Sequence, residues 1–366
     1  MEVVRPEQFG RYLVYEQIGI GGMATVHRAT RDGKDGTREV ALKRLLPGVA
    51  AQPELRRAFL QEGQLTRQLA HANIALTYES GTYRETAFIA MEYLPGPTLK
   101  QLVHHCGMTV GSVPIPIMLN IAAQICDALD YAHNLCGADG HPLGIIHRDV
   151  SPSNMIVCDT GLVKLIDFGL AKARIQKTTH TARGVIKGKF NYVAPEYIGG
   201  KLDARADLWA LGVVMYELLT SRRLFDGIND IETMTRVRLL PIPRPSIGNP
   251  RVTPELDEVV MTALERNPHR RWQTAAQMRD ALHAVIAQPG NAVDNESVVE
   301  WTKWVFTQER GTQASGLATL LALTEPTQIG TVPPSIVDDD SRRNWHIALG
   351  VLAAVLIVFV IELLTR

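Results

Sequence analysis

Three oxygen-bearing side chains raise the first question. Asp149 and Asn154 stand five residues apart in "IIHRDVSPSN", and Asp167 follows thirteen residues after Asn154, in "DFG". Asn154 and Asp167 both offer oxygen ligands, which suit a hard divalent cation such as Mg2+. Asp149 is then left as a candidate base. Upstream lies a glycine-rich turn, "IGIGGMATV" (Ile18, Gly19, Ile20, Gly21, Gly22, Met23, Ala24, Thr25 and Val26), and after it Lys43 in "VALK". Backbone N–H groups of such a turn can approach phosphate oxygens with no side chain in the way. Lys43 can hold the α- and β-phosphates of a nucleotide, and Glu62 in "FLQEGQL" can hold Lys43. Transfer of a γ-phosphoryl group needs a phosphate cradle, metal ligands, a positive charge on the nucleotide and a base that orients the acceptor hydroxyl. Each requirement has a candidate. Singly, each also has a blander reading: a turn between strands, a solvated lysine, a surface glutamate. Their occurrence together, in this order, carries the weight.

The elements that must position them fall into two groups. Residues 11–93 read as short strands with one helix: "YLVYEQIG" and "TVHRAT" flank the glycine turn, "EVALKRL" is β-branched, and "ELRRAFLQEGQLTRQL" has helical spacing. From about residue 97 to 286 the pattern turns helical, as in "IMLNIAAQICDALDYAHNL" and "ADLWALGVVMYELLT". The expected fold class is α+β, a β-rich small lobe over about 12–93 followed by an α-rich large lobe over about 97–286.

With "APE" (Ala194, Pro195, Glu196) closing the loop that "DFG" opens, the ordered set is the protein-kinase signature. Over about residues 12–286 the chain resembles the eukaryotic-like (Hanks-type) serine/threonine protein kinases of bacteria, specifically their membrane-attached members. The resemblance implies a two-lobed kinase domain that uses ATP and Mg2+ to phosphorylate serine or threonine on proteins. It also implies a homodimer for autophosphorylation in trans. Met91 would be the gatekeeper behind the adenine pocket, "MEYL" the hinge, and Val26 and Ala41 the apolar contacts to the ring. Asp207 would brace the catalytic loop, and Arg271 would pair with Glu196. Arg148 marks kinases whose activation loop is ordered by phosphorylation, and Thr178, Thr179 and Thr181 offer acceptors there.

Two positions depart from the family pattern. Ser151 stands where a lysine is usual, and Lys189, in "GKFNYVAPE", stands where a threonine is usual. A lysine–threonine pair becomes serine–lysine, so a hydroxyl and an ammonium are both kept with their chain positions exchanged. The catalytic set is therefore read as Asp149, Lys189 and Ser151. Two rivals stay open. One is a pseudokinase scaffold that binds nucleotide without transfer, against which Lys43, Glu62, Asp149, Asn154 and Asp167 all speak. The other is a tyrosine-directed kinase, since those also lack the lysine at this position. Pro152 and "NYVAPE" resemble the serine/threonine branch instead.

Composition narrows the partners. Lysine plus arginine equals aspartate plus glutamate, 38 each, so no electrostatic case exists for nucleic-acid binding. Cys106, Cys126, Cys136 and Cys158 show neither metal spacing nor a disulfide framework. No secretory signal opens the chain. Near the other end, Trp345 to Leu364 is apolar on every face, broken only by His346 and Glu362. At about 1.5 Å per residue it reaches roughly 30 Å, the thickness of a bilayer core. Arg342 and Arg343 precede it, favouring a cytoplasmic N-terminal side. The expectation is a single-pass transmembrane helix over 344–364 in the cytoplasmic membrane, with the kinase domain in the cytoplasm. Almost nothing follows the span, so no external sensor is expected. Residues 287–343 read as a juxtamembrane tether in which "DNESVVEWTKWVFTQE" can form a short amphipathic helix.

Overall fold

The computed structural model describes residues 6–33, 36–169, 190–199 and 202–308. Lys189, Thr178, Thr179, Thr181 and the apolar stretch 344–364 lie outside the described residues. Among those described, no helix is long and apolar enough to cross a membrane.

Strand-forming sequence dominates the first part of the chain. β1 (Glu7–Phe9), β2 (Tyr12–Ile20), β3 (Ala24–Gly33), β4 (Gly36–Leu45), β5 (Thr77–Tyr83) and β6 (Thr86–Glu92) form one antiparallel sheet in the order β1-β2-β3-β4-β6-β5. The two-residue period of a strand sorts its side chains. Val40 and Leu42 of β4 pack with Tyr12, Val14, Ala29 and Ala90 on one face. Leu45 packs with Ala24, Ile89 and the helical Phe59 on the other. Lys43 shares that second phase with Leu45. The register sets Val26 opposite Lys43 and Ala41 opposite Met91.

A short turn α1 (Pro47–Ala50) leads into α2 (Pro53–Thr66), which starts on a proline at its first turn with Glu54 beside it. Both features suit a helix N-terminus, where proline loses no hydrogen bond and a carboxylate meets the positive end of the dipole. α2 buries Ala58, Phe59, Glu62 and Gly63 against the sheet.

The larger part is helical: α3 (Leu99–Thr109), α4 (Ile115–Asn134), α5 (Arg205–Thr220), α6 (Asp230–Leu239), α7 (Pro245–Gly248), α8 (Pro254–Ala263), α9 (Ala275–Ile286) and α10 (Asn295–Thr307), with a hairpin of β7 (Met155–Val157) and β8 (Val163–Leu165). α3 begins with a capping box in which Thr98 and Gln101 satisfy each other's backbone N–H. α5 is buried from Ala206 through Leu219. Its apolar residues therefore run around the whole helix rather than along one stripe. It forms the axis on which the catalytic loop is hung. The protein has the two-lobed α+β architecture, a β-rich lobe followed by an α-rich one. Cys106, Cys126 and Cys158 are buried free thiols, and Cys136 is exposed.

Candidate active site

The site is assembled outward from α5. Asp207, in its first turn, is 1% exposed. Its Oδ2 accepts from the His147 N–H at 2.8 Å, and its Oδ1 from the Arg148 N–H at 2.8 Å. His133 of α4 approaches Oδ2 at 2.8 Å. Burial alone would raise the Asp207 pKa, but the bond and charge of His133 and the Arg148 N–H hold it below the usual carboxylate value. Arg148 sits at φ +64°, a left-handed conformation that a side-chain-bearing residue rarely adopts. The buried carboxylate holds it there.

The loop then turns Asp149 toward Asn154, whose Nδ2 donates to the Asp149 backbone oxygen at 2.8 Å and to Oδ2 at 2.6 Å. With the amide nitrogen so committed, Asn154 presents its oxygen as the donor suited to a cation. The His147 ring fixes the loop from below. Its Nε2 lies 3.1 Å from the Ile166 oxygen, and its Nδ1 receives the Asp149 N–H at 3.2 Å. Both contacts are satisfied by one neutral tautomer, protonated on Nε2. The ring also lies against Phe168, centroids 4.5 Å apart. Asp167, the residue before Phe168, has φ +57°. Positions of this kind store strain where function needs a fixed direction.

Lys43 closes the site from the sheet. Its Nζ lies 2.8 Å from Asp167 Oδ1 and 3.0 Å from Glu62 Oε1. Burial opposes the charge, yet the Asp167 and Glu62 carboxylates more than offset it and raise the ammonium pKa above its ordinary value. The sheet, α2 and the β8 exit are thereby joined at one nitrogen. Ile18 and Ile20 of the glycine turn are exposed. Gly21 donates to the Ala24 oxygen at 2.9 Å, which closes the turn around Gly22 and Met23 between Gly19 and Thr25. Ala41 is buried opposite Met91. Ser151 is buried, with its Oγ 3.0 Å from Ser153 Oγ.

Beside Asp149 opens a cavity of about 410 Å3 between α3, the catalytic loop, residues 192–194 and α5. Tyr192 and Glu217 form part of its wall, with Tyr192 Oη donating to Glu217 Oε2 at 2.7 Å. Burial pushes the Glu217 pKa up, and the Tyr192 bond opposes that only in part. Glu196 receives both Nη atoms of the fully buried Arg271, at 2.7 and 2.6 Å. That fork is the planar geometry guanidinium favours.

The structure thus joins Lys43, Glu62 and Asp167 at one nitrogen and Asp149 to Asn154, and the His147 ring ties the two groups by its contacts with the Asp149 N–H and the Ile166 oxygen. Sequence reasoning passed over Glu217, Tyr192, His133 and the pair Lys164–Glu92, whose ammonium lies 2.9 Å from both carboxylate oxygens and ties β8 to the end of β6. One signal was visible for Glu217: it is a lone carboxylate ten residues after Asp207 in an otherwise apolar run. His133 and Lys164 carry no comparable mark.

Comparison with known proteins agrees with this geometry. The family profile described as protein kinase domain matches residues 12–283, and the chain belongs to that family. Its catalytic part is a bacterial Hanks-type serine/threonine protein kinase domain. Serine/threonine-protein kinase PknB of Mycobacterium leprae is 37% identical over 294 residues, covering 78% of this chain and 45% of that protein. Tyrosine-protein kinase MasK of Myxococcus xanthus is 34% identical over 320 residues, covering 87% of this chain and 49% of its own length. The chain spans about half the length of these curated relatives. The crystal structure of the Mycobacterium tuberculosis PknI kinase domain superposes with a TM-score of 0.58 at 28% identity, covering 78% of this chain and 99% of that domain.

Proposed function

We propose that the protein is an ATP- and Mg2+-dependent kinase of serine and threonine hydroxyls on other proteins. The observation that carries this reading is the meeting of Lys43, Glu62 and Asp167 at one nitrogen beside the Asp149–Asn154 pair. Asp149 orients the acceptor hydroxyl and takes its proton as that oxygen bonds to the γ-phosphorus, while the bond from that phosphorus to the β–γ bridging oxygen breaks and ADP leaves. Lys43 holds the α- and β-phosphates. The glycine turn covers them, and Val26, Ala41 and Met91 frame the adenine. Asn154 and Asp167 are hard oxygen donors, and they fit Mg2+. When bound, the metal neutralises charge on the phosphate oxygens. Lys189, outside the described residues, supplies the ammonium that Ser151 lacks. The sequence exchange supports that assignment.

The proposal extends to the rest of the chain. Residues 12–286 are the kinase domain, 287–343 a juxtamembrane segment and 344–364 a single membrane span that keeps the kinase in the cytoplasm. Autophosphorylation at Thr178, Thr179 or Thr181, between two copies, would order the activation loop through Arg148 and place the protein in membrane-proximal signalling. A second reading, tyrosine specificity, draws on Ser151 and on the name of the Myxococcus relative. Incubating the full chain with labelled ATP and a generic protein acceptor, followed by phosphoamino-acid analysis, tests both. Label on serine or threonine that disappears in Asp149→Asn supports the proposal. Phosphotyrosine alone would establish the second reading, and no transfer by the parent would make the chain a pseudokinase.

A further inference from the structure

The family match ends at residue 283, yet the chain continues into a built element on the large lobe. α10 is capped by Asp294, whose carboxylate accepts from the Ser297 N–H at 2.8 Å and from Ser297 Oγ at 2.7 Å. Val298, Trp301, Thr302 and Val305 are buried along one face at helical spacing. The apolar three of these belong to the same core as Leu102 and Cys106 of α3.

Both ends of the helix are fixed. At the first, Gly161 in the β7–β8 turn has φ +77°, and a Cβ there would stand 2.1 Å from the Asn295 backbone oxygen. Asn120 Nδ2 donates to the Val293 oxygen at 3.2 Å, and Gln124 Nε2 to Asn295 Oδ1 at 3.4 Å. At the second, Phe306 stacks on His105 of α3, centroids 4.8 Å apart and planes 29° apart. The seat is shaped for this segment, since glycine is the one residue that fits beneath it.

α3 carries a different duty on its other side. Lys100, Val103, His104 and Met108 line the cavity beside Asp149 and Ser151. A single helix therefore stands between α10 and the cavity, and one cavity wall is as well fixed as that helix. Lys43, Glu62 and Asp167, on the nucleotide side, are held by one another. We infer that α10 is a positioning element for the acceptor substrate: by backing α3 it sets the wall of the acceptor cavity, and it leaves the nucleotide side alone. The inference rests on the kinase reading above, with the cavity as the acceptor site.

Steady-state kinetics of the full chain in mild detergent, with acceptor peptide and ATP varied separately, give the test. Trp301→Ala removes the buried centre of the seat, and Phe306→Ala removes the stack on His105; Phe306 is itself 43% exposed, so its loss spares the fold. Lys303→Ala, on the exposed face, is the control. The acceptor KM is expected to rise about tenfold in Trp301→Ala and about threefold in Phe306→Ala, with the ATP KM and kcat within about twofold of the parent. Hydrogen exchange should show lost protection in α3 in both. If Trp301→Ala does not fold, Phe306→Ala decides alone. An unchanged acceptor KM with α10 loosened overturns the inference. Equal changes in kcat and both KM values also overturn it, since they mark a general structural role. A parent chain without transfer activity would sink the kinase reading, and hydrogen exchange then decides: unaltered protection of α3 in the variants overturns α10 as its backing element.

Discussion

The two halves of the site are held by opposite means. On the large-lobe side, His147 and Arg148, the two residues before Asp149, hang from Asp207, a 1% exposed carboxylate on a helix that is itself buried all round, and the bonds run to backbone N–H groups. On the small-lobe side, Lys43 is held by two side-chain carboxylates from different elements, and Asp167 is 31% exposed. Backbone groups clamped by a buried acceptor have nowhere to go, because the alternative is an unpaired N–H away from water. The Lys43–Asp167 pair can part, because the Asp167 carboxylate reaches solvent and can rehydrate, while Glu62 stays buried beside the ammonium. The large-lobe half is therefore built in advance, and the small-lobe half is the adjustable one. Under the proposed function, this division suits a site that must admit and release a nucleotide.

Removing Asp207 should produce the largest effect, and it should strike stability and rate together. Asp207→Ala leaves two buried N–H groups unpaired, at about 1–3 kcal/mol each. It also releases the left-handed turn at Arg148 that aims Asp149. Urea unfolding should show a loss of roughly 2–5 kcal/mol, with kcat falling more than about a hundredfold. A variant that keeps its stability and loses only rate would break the contrast between the halves.

Lys43→Met tests the other half. Loss of one preorganised charge at a transferring phosphoryl costs on the order of 10²–10³ in rate. Asp167 can turn to water, but Glu62 is only 7% exposed and loses the charge beside it, so the unfolding free energy should fall by roughly 1–3 kcal/mol. A large loss of stability here would mean that the small-lobe half is as rigidly built as the other.

How much of this was legible beforehand follows from the same physics. Lys43, Glu62, Asp149, Asn154 and Asp167 could be read from the sequence because chemistry restricts their residue types and chain order restricts their spacing. The sheet and the central helix were visible as periods of two and as an unbroken apolar run. Asp207 and Arg271 were reached through resemblance, and the structure gives each a physical duty. The anchors that went unread share one property: their role depends on a partner far along the chain. Lys164 meets Glu92 across 72 residues, and His133 meets Asp207 across 74. Nothing local in either segment announces the pairing. The helix at 295–307 was visible as an amphipathic stripe, but its seat on α3 depends on Gly161 and His105, which no local pattern links to it.

A smaller effect is expected at Glu62. Its carboxylate positions Lys43 without touching the reacting groups, and Asp167 still holds the ammonium when it is gone. Glu62→Gln should lower kcat/KM for ATP about tenfold, less than Lys43→Met, and the double variant should lose little more than Lys43→Met alone. Full additivity in that cycle would show that Glu62 acts on something other than Lys43.

The smallest effect belongs to Glu217, and it sharpens the comparison from the rigid side. This carboxylate lies in α5, 7% exposed, and accepts from Tyr192 Oη at 2.7 Å and the Leu224 N–H at 3.3 Å. Burial raises its pKa in the folded state, the Tyr192 bond and Arg223 opposing only in part. As pH rises past the ordinary glutamate value, the unfolded chain loses this proton first. The folded chain then binds more protons than the unfolded one, so stability falls with rising pH until the raised folded value is passed. Glu217→Gln removes the titration and keeps an oxygen for Tyr192, so the cavity wall should survive with acceptor KM changed less than about twofold. Above about pH 4, the ordinary glutamate range, the variant should gain stability relative to the parent as pH rises, and the gain should level off once the parent carboxyl has ionised in both states. Urea titrations at a series of pH values read this difference directly. A variant whose stability tracks the parent at every pH would show that the buried carboxyl does not titrate in this window.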